Sequence, residues 1–484
     1  MSFYFILKAR KKSVELEKNS NSKLEFFFAL GLIFFYSLLF LYTFYQFKNS
    51  FFLVDFDYLA LAEILNNSLS GKFFTTHHYG NNVTGNYLAH HFSPSLLLLS
   101  PFLFLSDTRL GYGYGLLFYT LLSLGLMGFL LYKFKLRGSV FFFSFLSLSI
   151  NIYLYRLFFA YHFELLIVFF FLLFFLGREI NSKGLLFISI LFLLLLKEDM
   201  AIYVSCLSLY FFLLRDWKTG GLLLLASLFY FFYIPSFFRN YIDISTQVNW
   251  LEDWSKWGNT YSEIFFNILL NPISIFKLFL DKWKVLKEFI FSFSPFVFLE
   301  WKLIIVSIPI FIIHFISDRI WYNSFYNYYS YTVISFWIVA FLISIKKMNE
   351  SKWRQYLPGL LLLSLSISLY TNSDDQLFPY TRFQIDKTRL ENIQTIVNFI
   401  PEKNSVATQF DLGAFVKREN PLFPLHEKNL DKDYILIDRE KGITPYVDRK
   451  RIETMIISME GKYSLIAKYD GIELYKKINT DKPR

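Results

Sequence analysis

The sequence predicts an all-α polytopic membrane protein with a small α/β domain at its carboxyl end, and three observations carry that prediction. Hydrophobic residues fill 54% of 484 positions, with 62 Phe and 33 Tyr, and mean hydropathy is +0.37, more apolar than a soluble chain of this length. Apolar runs alternate with short Lys and Arg clusters, the pattern of the positive-inside rule. From Thr371 onward charged residues become frequent and the apolar runs shrink. Topology accounts for the formal net charge of +10, so nucleic acid is not among the expected partners. The single cysteine, Cys206, lies inside an apolar run and excludes a disulfide within the chain.

Residues 1–23, with Lys8, Arg10, Lys11, Lys12, Lys18 and Lys23, read as a basic cytoplasmic amino terminus. Leu24 to Phe47 is long enough to span and reads as a retained signal anchor, with no cleavable signal peptide before it. The transmembrane region, residues 24–370, then carries a first outer loop at 48–94. Ser95 to Leu105 is too short for a normal span and reads as a re-entrant or interfacial helix opened by Pro94.

Further spans are expected at Leu110–Tyr132, Val140–Tyr155, Leu165–Leu176, Leu185–Leu196, Met200–Leu214 and Leu222–Phe238. The Trp-rich segment 239–287 suggests outer amphipathic helices at the lipid surface. Phe289–Leu299 and Leu303–Ile316 are read as a hairpin turning at Glu300, Trp301 and Lys302. A span to Lys346 and Lys347 and another at Leu357–Tyr370 bring the expected total to about eleven. In residues 371–484 the β-like runs SVATQF, YILID and IELYKK alternate with the helical pattern LENIQTIVNFI, which predicts an extracytoplasmic α/β unit. That unit contains no phosphate loop or nucleophile motif.

The candidate chemistry concentrates in Phe51 to Pro94. Four of the seven histidines, His77, His78, His90 and His91, fall there with Asp55, Asp57 and Glu63. Ionisable groups pinned between membrane segments are where chemistry on a membrane-bound substrate is expected. Asp55 and Asp57 could bind a cation on a diphosphate or act as a base toward a hydroxyl; two acids opening a loop serve equally well as helix caps. The paired histidines could supply a metal ligand or a proton, or be interfacial side chains. Arg156, His162 and Glu164 form a second polar patch, and Lys197, Glu198 and Asp199 a third. Such charges must pair or face water: either Lys197 and Arg156 hold a lipid phosphate, or a salt-bridged knot locks short helices together. The tyrosines from Tyr322 to Tyr331 read as an interfacial aromatic belt.

A set of blocks in fixed order carries a resemblance: VDFDYLALAEIL, HHFSPSLLLLSPF, YHFELLIVFF, LLLLKEDMAIYV, FSPFVFLEW, YNSFYNYYSY, and IPEKNSVATQFDLGAF with DYILIDRE. Together they resemble a prokaryotic integral-membrane family of unknown function related to GT-C glycosyltransferases of the polyprenyl-phosphate-mannose type. The resemblance implies a GT-C-like transmembrane bundle, a first outer loop bearing the catalytic acid, and an outer carboxyl-terminal domain. By position Asp57 matches that acid, with Asp55 as its alternative. His91 matches the His of the His-Phe-Ser-Pro block, His162 and Glu164 the His-Pro-Glu block, and Lys197, Glu198 and Asp199 the Lys-Glu-Asp block. Glu63 stands where Gln is more usual, Phe163 where Pro is usual, and Asn327 and Tyr328 where a His is common.

The resemblance implies an inner-membrane glycosyltransferase that takes a polyprenyl-phosphate sugar on the outer face and passes it to a lipid or cell-envelope glycan. Asp57 would take the acceptor proton, Lys197 and Arg156 would neutralise the leaving phosphate, and His162, Glu198 and Asp199 would orient the substrate. Asp55 and His91, with Glu164, would bind a divalent metal, magnesium or manganese, or orient the donor. The alternatives are a transporter or flippase of a lipid-linked substrate, and a non-catalytic assembly scaffold.

Overall fold

A computed structural model describes residues 23–45, 56–78, 85–241, 250–319, 325, 329, 331–371, 386–439 and 449–478. Asp55, most of the tyrosine patch and the basic segment before Lys23 lie outside the described residues. The membrane region is built on helices α1 (Lys23–Tyr45), α2 (Phe56–Leu69), α3 (Tyr87–His90), α4 (Gly111–Lys133), α5 (Ser139–Ser149), α6 (Ile152–Phe159), α7 (Leu166–Glu179), α8 (Lys183–Leu194), α9 (Met200–Leu213) and α10 (Trp217–Tyr241). It continues through α11 (Tyr261–Leu270), α12 (Pro272–Asp281), α13 (Trp283–Ser292), α14 (Trp301–Phe315), α15 (Tyr331–Asn349) and α16 (Leu357–Thr371). Among the described residues four helices are long and apolar enough to cross a membrane, and up to six if each bent pair is one span. Those four are α1, α4, residues 217–238 of α10, and the continuous run Pro295–Phe315.

Local chemistry explains the breaks. Pro94 opens a 3₁₀ helix, Pro94–Leu105, and Pro101 inside it has no N–H for an i→i−4 bond, so the segment stays a tight, short element. α5 and α6 meet at 51° because Asn151 interrupts the apolar run. Its side-chain oxygen accepts from the amides of Tyr153 and Leu154 at 3.1 and 3.0 Å, and its amide donates to the Ser292 carbonyl at 2.9 Å. The backbone groups freed at the bend are thus satisfied away from water. The 289–316 region differs from the expected hairpin. The turn lies at Phe293–Ser294, with Ser294 at φ 69°, and Pro295–Phe315 is one helical run. Glu300 is no turn residue: it is buried and held by Lys347 at 2.5 Å, which makes its charge tolerable inside a helix. α11 and α12, expected as amphipathic helices at the lipid surface, meet at 85° and have spanning composition only when taken together.

Ion pairs at helix termini define a basic end of the bundle. Arg137 lies 3.8 Å from Glu25 near the start of α1, Arg178 pairs with Asp216 at 2.6 Å, and Lys346 pairs with Glu179 at 3.4 Å while lying over the Phe134 ring. The opposite ends of α7, α9 and α15 carry Glu164, Lys197 to Asp199 and Tyr331.

That domain contains α17 (Lys387–Val397), α18 (Phe410–Gly413), α19 (Arg449–Met459) and a five-stranded sheet. A separate two-stranded ribbon, β1 (Thr75–Thr76) with β2 (Gly85–Asn86), belongs to the first loop. The sheet strands are β3 (Val406–Thr408), β4 (Leu422–Pro424), β5 (Tyr434–Asp438), β6 (Tyr463–Tyr469) and β7 (Ile472–Lys477), in spatial order β4-β3-β5-β7-β6. β4, β3 and β5 are parallel, and β7 and β6 add antiparallel through the Asp470–Gly471 turn, whose two residues both have positive φ. The runs read as strands in SVATQF, YILID and IELYKK are β3, β5 and β7, and LENIQTIVNFI lies on α17 and its exit.

The domain is docked on the first loop. Buried Arg109 donates to the carbonyls of Asn420 at 2.7 Å and Lys417 at 3.3 Å. The Arg418 amide donates to the Asp107 carbonyl at 2.8 Å, and the Asn66 amide donates to the Arg418 carbonyl at 3.0 Å. A Cβ on Gly413 would meet the Leu59 side chain of α2 at 2.7 Å, so α2 and α18 approach closely here and a larger residue would make Leu59 shift. Buried Glu63 accepts from His77 Nδ1 at 2.8 Å and His78 Nδ1 at 2.5 Å, and the two rings lie against Phe423 and Phe410 at centroid distances of 4.1 and 5.8 Å. These histidines, candidate metal ligands in the sequence, therefore clasp a domain interface.

Burial alone would raise the Glu63 carboxyl, but His78 and His77 together hold it below its ordinary value. A carboxyl depressed by folding adds stability above its unfolded pKa of about 4.5 and loses it as pH falls below that. Glu63→Gln is expected to cost about 1.5–3 kcal/mol per charged hydrogen bond lost. It should also flatten the fall in melting temperature below pH 4.5, read by thermal unfolding in detergent across pH.

Candidate functional site

The site is assembled by two turns and a helix start. The α8–α9 turn presents Lys197, Glu198 and Asp199 in succession. It is strapped to the first loop: the Ser95 amide donates to the Leu195 carbonyl and the Ser95 hydroxyl to the Phe192 carbonyl, both at 2.9 Å. The Phe92 amide donates to Glu198 Oε2 at 2.9 Å, and His91 Nδ1 donates to Glu198 Oε1 at 2.8 Å. One carboxylate thus orients an imidazole through Nδ1 and holds the chain beside it.

The second turn follows α6, where Tyr161 takes a positive φ of 55° and swings the chain into a short 3₁₀ turn, Phe163–Leu165, that opens α7. Glu164, 1% exposed, stands in that turn. Its Oε1 accepts from Lys197 Nζ at 2.9 Å, and its Oε2 faces His162 Nδ1. Lys197 also donates to the Tyr331 hydroxyl at 3.4 Å, and that hydroxyl donates to Asp199 Oδ2 at 3.0 Å. Tyr331, the first residue of α15 and fully buried, closes the chain Glu164–Lys197–Tyr331–Asp199. Three helix starts therefore converge: Glu164 just before α7, Asp199 just before α9, Tyr331 at α15. The positive ends of these helices favour negative charge, which helps one lysine serve three carboxylates.

Tyr87, buried beside His90 and His91, joins this cluster to the first loop. Lys197, Asp57 and Glu198 all act on its hydroxyl through space. Burial pushes that hydroxyl well above its ordinary value, so it stays protonated and able to donate. Burial, reinforced by the charge of His91, pushes His90 down to about 3 and keeps it neutral. Asp57, half-buried in the first turn of α2, lies within electrostatic reach of Tyr87; its charge also suits a helix start.

Of the residues singled out in the sequence, His91, His162, Glu164, Lys197, Glu198 and Asp199 are brought into one neighbourhood, with Asp57 approaching through Tyr87. Arg156, half-buried on α6, has its guanidinium 5.3 Å from the Tyr153 ring centroid. Asp55 lies outside the described residues. Among those described, no three of His, Cys, Asp and Glu are placed to hold a metal ion, and Glu198 engages His91 through Nδ1. Sequence reasoning missed Tyr331 and Tyr87. The signal for Tyr331 was its place at the polar start of an apolar run, inside a patch read only as a belt.

A helical bundle with four to six candidate spans, a polar cluster at one end and a small sheet docked beside it defines a polytopic membrane protein. The chain belongs to the family described as Predicted membrane protein (DUF2079), whose model matches residues 47–474. The match runs from the first loop to β7, so loop, bundle and domain form one family unit. No curated protein and no solved structure matches the chain.

Removing one partner of a buried ion pair strands the other, at about 3–5 kcal/mol. Glu164→Gln is expected to destabilise the protein by that order in detergent unfolding. Adding Lys197→Met should restore part of the loss, giving a double variant less destabilised than the sum of the two singles.

Proposed function

We propose that this chain is a glycosyltransferase that moves a sugar from a polyprenyl-phosphate donor to a lipid or cell-envelope glycan acceptor. The observation that carries the reading is the convergence of four sequence-distant blocks, His-Phe-Ser-Pro, His-Phe-Glu, Lys-Glu-Asp and Tyr331, on one buried cluster beside the loop that bears Asp57. The GT-C-like resemblance supplies the reaction class, which the cluster suits.

In this reading the acceptor oxygen attacks the anomeric carbon as the bond from that carbon to the donor phosphate oxygen breaks. Asp57 takes the acceptor proton, and the phosphate leaves as the polyprenyl monoester. Lys197, with Arg156 and the three converging helix starts, stabilises the charge that grows on the phosphate. Glu164 holds Lys197 in place, with His162 against it; Tyr331 links Lys197 to Asp199; Glu198 fixes His91 toward the substrate.

The contacts at helix ends support about eleven traversals, in the order α1, α4, α5 with α6, α7, α8, α9, α10, residues 250–292, Pro295–Phe315, α15 and α16. In that path the short α8 and α9 make a thinned wall through which a lipid-linked donor reaches the cluster. The basic end then faces the cytoplasm and the carboxyl-terminal domain the outside, in the inner membrane. A transporter or flippase would place its buried charges at mid-depth, whereas Lys197, Glu198 and Asp199 sit in a turn between helices.

The test is reconstituted protein given a panel of polyprenyl-phosphate sugars, with release of polyprenyl phosphate as the readout. Asp57→Asn is expected to lower release at least 100-fold, at the low end of what a general base contributes, with unchanged melting temperature. Full activity in Asp57→Asn removes it as the base. Substrate movement across vesicles without release of polyprenyl phosphate would replace transfer by transport.

A further inference from the structure

The basic end of the bundle holds a second polar site, remote from the cluster. A cavity of about 480 Å³ opens there between the α4–α5 and α15–α16 connections, lined by Arg137, Asn349, Lys352, Arg354 and Gln355 over Val140 and Pro358. Three cations and two amides converge, and no carboxylate is in the lining. Arg137 is fixed in place: its guanidinium lies 4.1 Å from the Tyr132 ring centroid, donates to the Tyr132 and Leu136 carbonyls, and has Glu25 at 3.8 Å. Lys352 and Arg354 are exposed, and among the described residues no carboxylate pairs with either.

The surroundings are those of a membrane–water boundary. Trp353 and Tyr356 stand exposed at the rim, 55% and 54% accessible, as interfacial aromatics do. Below the rim, one turn further along α16, Leu362 and Leu363 are exposed, and Phe142 of α5 is exposed beside Val140. A polar, cationic pocket therefore sits over an apolar wall that continues down the outside of the bundle. This is the profile of a headgroup with its acyl chains. A planar guanidinium fork matches two phosphate oxygens, and the volume lies in the range of small-ligand pockets.

We infer that this cavity binds the phosphate of an anionic phospholipid headgroup, with the acyl chains along α16 and α5. The site is separate from the proposed transferase cluster: the 19-residue helix α15 carries Tyr331 at one end and Asn349 at the other, about 27 Å apart. The inference does not rest on glycosyl transfer.

The test compares the wild type with a Lys352→Gln/Arg354→Gln double variant, which leaves the buttressed Arg137 and every residue of the cluster intact. Both are placed in nanodiscs of phosphatidylcholine with or without phosphatidylglycerol. Retained lipid is counted by native mass spectrometry, and melting temperature is read in parallel. Wild type is expected to retain phosphatidylglycerol through delipidation and to melt higher in its presence. The double variant should bind it about 25-fold more weakly, at about fivefold per basic side chain near an anionic headgroup, while melting like wild type in phosphatidylcholine alone. Equal retention of both lipids by wild type, or undiminished phosphatidylglycerol retention by the double variant, overturns the inference. Inorganic phosphate in detergent that stabilises wild type as much as phosphatidylglycerol does would make this a site for free phosphate and also overturn it.

Discussion

A lysine ammonium withdrawn from water must find a carboxylate, and the Lys197–Glu164 pair is where this constraint organises the bundle. Either ion alone in a low-dielectric setting would be untenable, so the α8–α9 turn and the turn that opens α7 are obliged to meet. Tyr331 then brings α15 to the same point, and Glu198 brings the first loop through His91 and the Phe92 amide. Helices of 12 and 14 residues have little length with which to define their own depth. Their position is set by these few polar contacts at their tips.

The first loop is the other organising element, because it touches everything at this end. α2 and the residues after it meet the carboxyl-terminal domain through Leu59, Asn66, Glu63 with its two histidines, and Arg109, while Tyr87 to Ser95 meets the polar cluster. In a parallel sheet the carboxyl ends of the strands are the usual ligand-binding edge. Here that edge is occupied: Arg389 of α17 reaches Asp438 at the end of β5 and Asp411 of α18, and Gln409 bonds the Asp438 backbone. Burial pushes Asp411 up to about 7 despite Arg389, a sign of how closely this edge is sealed.

Much of this was legible in the sequence. Apolar run length placed α1, α4, α10 and α16, and the composition shift at Thr371 marked the sheet-bearing domain. Three sheet strands were readable, but β6 was not, although Asp470–Gly471 is a strong hairpin signal. The hairpin assigned around Glu300 failed because a charge in an apolar run looks like a turn until its partner is known, and Lys347 lies far along the chain. The polar blocks were recognisable one by one, and their convergence was not, since nothing in local spacing says that Glu164 will meet Lys197. His77 and His78 misled in the opposite direction, because two adjacent imidazoles suggest a ligand set when their shared partner, Glu63, lies earlier in the chain on α2.

α15 is fixed at both ends: Tyr331 bonds Lys197 and Asp199 at one, and Lys346 and Lys347 bond Glu179 and Glu300 at the other. A helix so anchored acts as a gauge of both length and phase. One residue added between the anchors would turn Tyr331 by about 100° and move it about 1.5 Å along the axis, breaking register at one end or the other. Over evolutionary time, insertions and deletions in this chain should therefore gather in its connections, while the spacing from Tyr331 to Lys347 drifts in sequence and stays constant in number.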